Sequence, residues 1–276
     1  MQDIWNFGDL SGFAQQDLTH GRLWRRGNPG NDPVLLMVHG GYHGAWCWFP
    51  WMRRLEEAGI ASAAVDLRGH AGLPQGPDYR RQGIWNMAED VTEAARKLGG
   101  PVILVGHSLG ALIAMAAARD IRPCAMLLLA PSPPGQLPGL QPLPAYLEDE
   151  LVQPPDPALA REKFLRGFGG DIRPLLSRLC AEPPVLMNDR YLLRVTIDAG
   201  WIDGPVLCLS AGLESTHLHP PGQDEATAGF FGGTHRMLPA SAHDMMLDSN
   251  RDRSADLVAD WYRSICSRTA AAATGV

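Results

Sequence analysis

The sequence predicts an α/β protein with a doubly wound, mostly parallel sheet and an inserted helical lid. Three observations carry this expectation. Short apolar runs of strand length alternate with amphipathic helical patterns over residues 33–131, the βαβ signature of a parallel sheet covered on both faces. The alternation stops after Pro131 and resumes at "GPVLCLSAG" (204–212). Between those points, residues 131–157 hold nine prolines in 27 positions, which no central strand or helix interior tolerates.

Taken in order, "IWNFGD" and "GRLWRRG" read as two early strands. "PVLLMVHG" (33–40) is an apolar run ending in glycine, and "FPWMRRLEEAG" (49–59) a helix with a glycine stop. "IASAAVDLRGHAG" is a strand and loop, and "NMAEDVTEAARKLGG" (86–100) an amphipathic helix. "PVILVGHS", "LGALIAMAAARD" (109–120) and "CAMLLLAP" follow as strand, alanine-rich helix and strand. Short helical patterns such as "ALAREKFLRGF" and "DRYLLRVTIDAG" occupy the insertion. After it come strand 204–212, helix "PGQDEATAGFF", strand "THRMLP" and helix "SADLVADWYRSI". The expected organisation is a core at 1–131 and 204–268, a lid at 132–203 and a disordered tail at 269–276.

Composition narrows the function classes. A net charge of −6 with no lysine- or arginine-rich run argues against nucleic acid as a partner. Five scattered cysteines (Cys47, Cys124, Cys180, Cys208 and Cys266) lack CxxC spacing, which argues for a reducing compartment, the cytoplasm, and against a zinc site. The N-terminus has neither a basic nor an apolar signal region, and no apolar stretch is long enough for a membrane span. Nothing in the sequence specifies an oligomeric state.

The chemistry concentrates at Gly106-His107-Ser108-Leu109-Gly110, a G-x-S-x-G between a buried strand and a helix. A nucleophile on a sharp strand-to-helix turn sits at strained backbone angles, and glycines two positions either side remove side chains that would collide there. The helix that follows points its N-terminal N–H groups at the serine, where they favour a developing oxyanion. With this motif and "HGGYHGAWCW" (39–48), the chain resembles the α/β-hydrolases, and within them the branch of plant methyl-ester esterases and hydroxynitrile lyases, whose loop reads H-G-x-x-H-G-A-W-x-W.

The resemblance implies an order of nucleophile, acid and histidine. It implies Ser108 as nucleophile and the backbone N–H groups of Gly41 and Leu109 as oxyanion donors. His39 is expected to support its loop, and Trp46 and Trp48 to anchor packing. The histidine belongs after the last strand, where "MLPASAHDMMLD" offers His243; His235, His217 and His219 are placed less well. The acid departs from the family pattern: Gly212-Leu213-Glu214-Ser215 has serine near the usual aspartate, and Glu214 beside it is expected to take the role, with a serine–histidine dyad and a water, or another carboxylate, as the alternatives. A glutamate can accept the imidazole N–H as an aspartate does. Asp203 precedes its strand, Asp66 is expected to hold its own loop, and Asp244 and Asp248 are expected to face the final helix.

These residues imply hydrolysis of a carboxylic ester or related acyl bond of a small, mainly apolar substrate, with no cofactor and no metal. Lactone, lactam or C–C bond hydrolysis and a lyase reaction remain open on the same fold, as does a non-catalytic ligand-binding role. Against the lyase stand Gly40 and Asp244, where hydroxynitrile lyases carry threonine and lysine. The lack of a basic cluster leaves a carrier-protein thioesterase behind these. Residues 134–147, Phe164, Phe168, Leu186, Met187 and Trp201 are candidates for pocket wall or lid core.

Overall fold

The computed structural model describes residues 3–214 and 219–274. Eight strands form one sheet: β1 (Ala14–Asp17), β2 (Arg22–Arg26), β3 (Val34–Val38), β4 (Ser62–Asp66), β5 (Val102–His107), β6 (Ala125–Leu129), β7 (Val206–Ala211) and β8 (Thr234–Leu238). Their spatial order is β1-β2-β4-β3-β5-β6-β7-β8, antiparallel as far as the β2–β4 pair and parallel beyond it. Every residue of β3, β4, β5 and β6 is buried, which accounts for their mainly apolar character; the polar Ser62, Asp66 and His107 stand at strand ends. Each buried Val, Leu or Met in them contributes about 2 kcal/mol of transfer free energy. The edge strands β1 and β8 are largely exposed and correspondingly polar.

The crossover helices α1 (Phe49–Glu57), α2 (Ile84–Leu98) and α3 (Leu109–Ile121) lie where their periodicity placed them. Gly59 and Gly99 stop the first two at φ 78° and 72°, values that only glycine adopts without cost. The chain winds from β3 out to β4, then back across to β5. Right-handed crossovers in opposite directions put helices on opposite faces. Accordingly α2 packs on α3, and α1 packs on α8 (Arg251–Thr274). The reversal between β3 and β5 leaves a crevice at their carboxyl ends, the usual ligand position in an open α/β sheet.

Three sequence expectations change. "IWNFGD" forms turns instead of a strand, with Asn6 at φ 54°. Its apolar residues are buried by aromatic packing, not by a ladder: Trp5 stacks on Phe7 and Phe168, and Phe7 meets Trp46 edge-on. The first strand lies later, at β1. In the insertion, α4 (Pro157–Phe164) matches its pattern, but α6 (Pro184–Tyr191) begins before "DRYLLRVTIDAG", because Pro184 is well suited to a first helical turn. A short α5 (Arg173–Leu176) had no clear periodicity. Last, α8 continues through the alanine run to Thr274, so the disorder expected over 269–274 gives way to helix, for which alanine has the highest propensity. Residues 275 and 276 lie outside the described residues. The remaining helix, α7 (Gln223–Phe230), packs on β7 and β8. No helix among the described residues is long and apolar enough to cross a membrane.

The β5–α3 turn allows a direct check. A Cβ on Gly110 would collide with the carbonyl oxygens of His39 and Val38, both backbone atoms. Gly110→Ala should therefore destabilise the fold by about 3 kcal/mol, at the upper end of overpacking costs. Urea unfolding measures this, and an unchanged midpoint would contradict the close approach.

Candidate active site

Ser108 stands at the apex between β5 and α3, with φ 52° and ψ −122°. A non-glycine residue there is strained, and the surrounding backbone holds it. Its N–H donates to the Leu129 carbonyl at 2.9 Å, and its own carbonyl accepts from Ala111 N at 3.0 Å and Ser132 N at 2.9 Å. The flanking glycines make the turn possible. A Cβ on Gly106 would lie 2.5 Å from Ala111 Cα, and Gly110 lies against the end of β3.

Beside this apex runs the loop after β3. Gly40 is so close that a Cβ on it would lie 3.1 Å from Ser108 Cβ. The peptide bonds around Gly41 are held from both sides. The Gly41 carbonyl accepts from His43 Nδ1 at 2.7 Å, and Tyr42 N–H donates to the Glu182 carboxylate. The Gly41 N–H meets no protein acceptor among the described residues, and Leu109, as first residue of α3, has none in its own helix. Asp66 also acts here, which differs from the expectation that it holds its own loop. It accepts from Ala45 N at 2.7 Å and Trp24 Nε1 at 2.8 Å, fixing the far end of the same loop. His39 accepts from Leu67 N at 3.3 Å, a supporting position, and Trp46 and Trp48 are buried anchors.

His243 and Glu214 meet, although they come from different loops. His243 Nδ1 lies 2.6 Å from Glu214 Oε2. Burial opposes a charged imidazole, but the charge and hydrogen bond of Glu214, with the Asp244 carboxylate, lift the His243 pKa above its ordinary value. The His243 ring packs 4.7 Å from that of His107, the neighbour of Ser108. His235 is turned away and pairs with Ser210 at 2.9 Å. His219 lies 3.2 Å from Asp224 and stacks obliquely on His243. His217 and Ser215 lie outside the described residues.

Two further carboxylate–imidazole pairs surround this one. Asp244 does not face the last helix as expected: its Oδ2 lies 2.9 Å from His43 Nε2. Burial works against the Asp244 carboxylate, yet His43 holds it below the ordinary carboxylate range. Glu182, from the insertion, lies 3.1 Å from His70 Nε2. Burial opposes the His70 cation too, but Glu182, with the Arg68 carbonyl and Asp66, raises its pKa. His107, by contrast, donates from Nε2 to the His243 carbonyl at 3.1 Å and is pushed down by burial to about 3, so it stays neutral. Asp248 accepts from Ala242 N at 2.8 Å and Asn250 N at 2.7 Å, holding the His243 loop. Sequence reasoning missed the pairings of His43, His70 and Glu182, which lie 201, 112 and 140 positions from the partners they meet; His43 stands in the quoted loop motif, but the motif does not name its partner. Two triplets, His107–His243–Asp244 and Glu214–His219–His243, have potential ligand atoms within 4.8 Å of one another. The hydrogen bonds to His243 Nδ1, His219 Nδ1 and His107 Nε2 already engage one ring nitrogen of each.

A cavity of about 50 Å³ opens on Ser108, lined also by Gly41, Tyr42, Leu109, Phe164 and Met187. Of the candidate wall residues, Phe164 and Met187 reach it. Phe168 packs on Trp5, and Trp201 lies edge-on to Trp85. A much larger groove of about 950 Å³ lies between β8 and α8, but none of Ser108, His243 and Glu214 lines it.

The chain belongs to the alpha/beta hydrolase family, whose profile matches residues 35–260. It is similar to Methylesterase 7 of Arabidopsis thaliana, 34% identical over 129 residues, covering 45% of this chain and 47% of that protein. It is also similar to Lipase LipV of Mycobacterium tuberculosis, 30% identical over 233 residues, covering 81% and 82%. The chain spans about half the length of the plant methylesterases it matches. Among solved structures, a methylesterase protein MES16 from Arabidopsis superposes with TM-score 0.65 at 20% identity, covering 82% of this chain and 97% of that one. An esterase from Exiguobacterium antarcticum superposes with TM-score 0.66 at 16% identity, covering 91% and 98%. Likeness at these identities concerns the fold alone.

Glu182 gives the site its own test. Glu182→Ala leaves the buried His70 imidazole and the Tyr42 N–H without their acceptor. Breaking a buried pair in this way should cost roughly 3 kcal/mol. Chemical denaturation measures it, and Glu182→Gln, which keeps an oxygen acceptor, should lose less.

Proposed function

We propose that the protein is a serine hydrolase that cleaves a carboxylic ester of a small molecule through Ser108, His243 and Glu214. The observation that carries this reading is the 2.6 Å contact of His243 Nδ1 with Glu214, with the His243 ring packed on His107, the residue before a serine held at a strained strand-to-helix apex. Glu214 accepts a hydrogen bond from His243 Nδ1–H and thereby fixes the tautomer, leaving Nε2 as base. Ser108 Oγ attacks the ester carbonyl carbon while its proton passes to His243 Nε2. The carbonyl oxygen becomes an oxyanion held by the N–H groups of Gly41 and Leu109, and the imidazolium is stabilised by Glu214. Collapse breaks the C–O bond, and the alcohol leaves with the proton from His243. Water, deprotonated by His243, then attacks the acyl-serine, and Ser108 recovers its proton as the acid departs.

In this reading residues 1–131 and 204–268 form the catalytic core, and residues 132–203 act as a lid. Glu182 ties that lid to the oxyanion loop through His70 and Tyr42. The free thiols of Cys47, Cys124, Cys180, Cys208 and Cys266 support a cytoplasmic setting. The methylesterases and the lipase among the relatives support an ester over other acyl bonds.

Ser108→Ala should lower kcat on a panel of short-chain esters by about 10⁴- to 10⁶-fold, and Glu214→Ala by roughly 10²- to 10⁴-fold, leaving a measurable residue. A serine-directed fluorophosphonate should label Ser108; the absence of labelling, or equal turnover by Ser108→Ala, would reject the mechanism.

The pH dependence follows from the same pair. The base form of His243 is the neutral one, and Glu214 raises its pKa above the ordinary 6.5. Thus kcat/KM should fall as pH drops through a value above 6.5. Glu214→Gln removes the raising charge and should move this acid limb to lower pH. A pH–rate profile of both proteins measures the shift, and a limb that stays in place would separate Glu214 from the base.

A further inference from the structure

The cavity at Ser108 is not walled by apolar groups alone. Two cations line it, Lys163 from α4 and Arg190 from α6. Arg190 is 8% exposed, and no carboxylate lies within ion-pair distance of it or of Lys163 among the described residues. Burial presses both groups toward their neutral forms. An isolated buried cation is costly, and proteins normally pair it.

The nearby carboxylates do not account for these cations. Glu214, Asp244 and Glu182 each have an imidazole of their own, at 2.6, 2.9 and 3.1 Å. Those three act on Lys163 only from beyond contact distance, and none acts on Arg190. The Lys163 ammonium instead lies 5.3 Å from the Tyr42 ring centroid and 5.5 Å from that of Phe164. Arg190 also lines a second, outer groove of about 420 Å³ formed by residues such as Leu137, Leu143 and Pro220. Arg190 is thus common to the cavity at Ser108 and to that groove.

We propose that Lys163 and Arg190 form an anion subsite, and that the substrate is a short ester bearing a carboxylate of its own, such as a monoester of a dicarboxylic acid. This rests on the ester-hydrolase reading and specifies its substrate class. The substrate carboxylate supplies the partner that the two cations lack. The cavity of about 50 Å³ favours a short acyl chain, since it holds only a few water molecules. A planar guanidinium receives a carboxylate through two parallel N–H bonds, whereas the ammonium acts as a point charge.

The test compares monomethyl succinate and monomethyl glutarate with methyl butyrate, a neutral ester of similar length. The wild-type protein should favour the better anionic ester by at least tenfold in kcat/KM. In Arg190→Gln this ratio should fall about tenfold or more, mainly through KM, with a smaller fall in Lys163→Met. Arg190→Lys keeps the charge and should recover part of the ratio, which guards against a simple folding defect. Succinate binding by calorimetry reads the subsite independently of turnover: it should weaken with salt and be lost in Arg190→Gln. A wild-type ratio near one, a ratio that persists in both charge-removing variants, or no binding of succinate by the wild type overturns the proposal. If no ester in the panel is turned over but succinate binds through Arg190, the anion subsite stands and the ester-hydrolase reading fails.

Discussion

The left-handed apex at Ser108 is the constraint on which the site depends. A residue with a side chain is held at φ 52° because the backbone around it leaves no alternative. Its N–H is committed to Leu129 at the end of β6, and its carbonyl to Ala111 and Ser132. Such a turn fits only if the backbone on either side can close in. Gly106 lets the first turn of α3 fold back on β5, and Gly110 lets that helix press against the end of β3. The strain, of order 1–3 kcal/mol, is stored at the proposed nucleophile and offset by the buried sheet beneath it. Two loops approach this apex, the one after β3 through Gly40 and the one after β8 through His243, whose ring packs on His107.

Those loops are fixed by buried charges. Three carboxylate–imidazole pairs, Glu214–His243, Asp244–His43 and Glu182–His70, join segments far apart in the chain. Buried pairs of this kind add little net stability over an apolar packing of the same volume, because desolvation offsets most of the attraction. Their effect is positional. Asp244 follows His243 directly and reaches His43, which in turn holds the Gly41 carbonyl. The histidine loop and the loop after β3 are therefore set relative to one another by one continuous hydrogen-bonded chain. Glu182 does the same for the insertion, since its carboxylate bonds to Tyr42 N–H in that loop.

Much of this was legible from residue order. The parallel strands were visible because burial on both faces demands unbroken apolar runs, and α1 and α2 because glycine stops each of them. The G-x-S-x-G marked its own turn, since its glycines are there for backbone contact. His243 and Glu214 were legible once the resemblance supplied the loops in which to look, even with the usual aspartate missing. The early turns were not legible: "IWNFGD" has a strand's composition, but Trp5 and Phe7 are buried by Phe168 and Trp46, residues more than 35 positions away. The register of α6 was obscured for a related reason, as proline-rich sequence tells where helices cannot run better than where they begin.

The sequence by itself determined the layered α/β architecture, the strained turn at Ser108 and the residue types on the loops after β3, β5, β7 and β8. These follow from local periodicity, glycine stereochemistry and chain order, each of which acts over a few residues. Only the tertiary structure decided which charge meets which: that Asp244 turns to His43 and not to the last helix, that Glu182 reaches His70, and that Lys163 and Arg190 share the cavity at Ser108. Such pairings depend on where separate segments converge once the sheet has formed. A carboxylate's sequence neighbours carry little information about the imidazole that burial will bring to it.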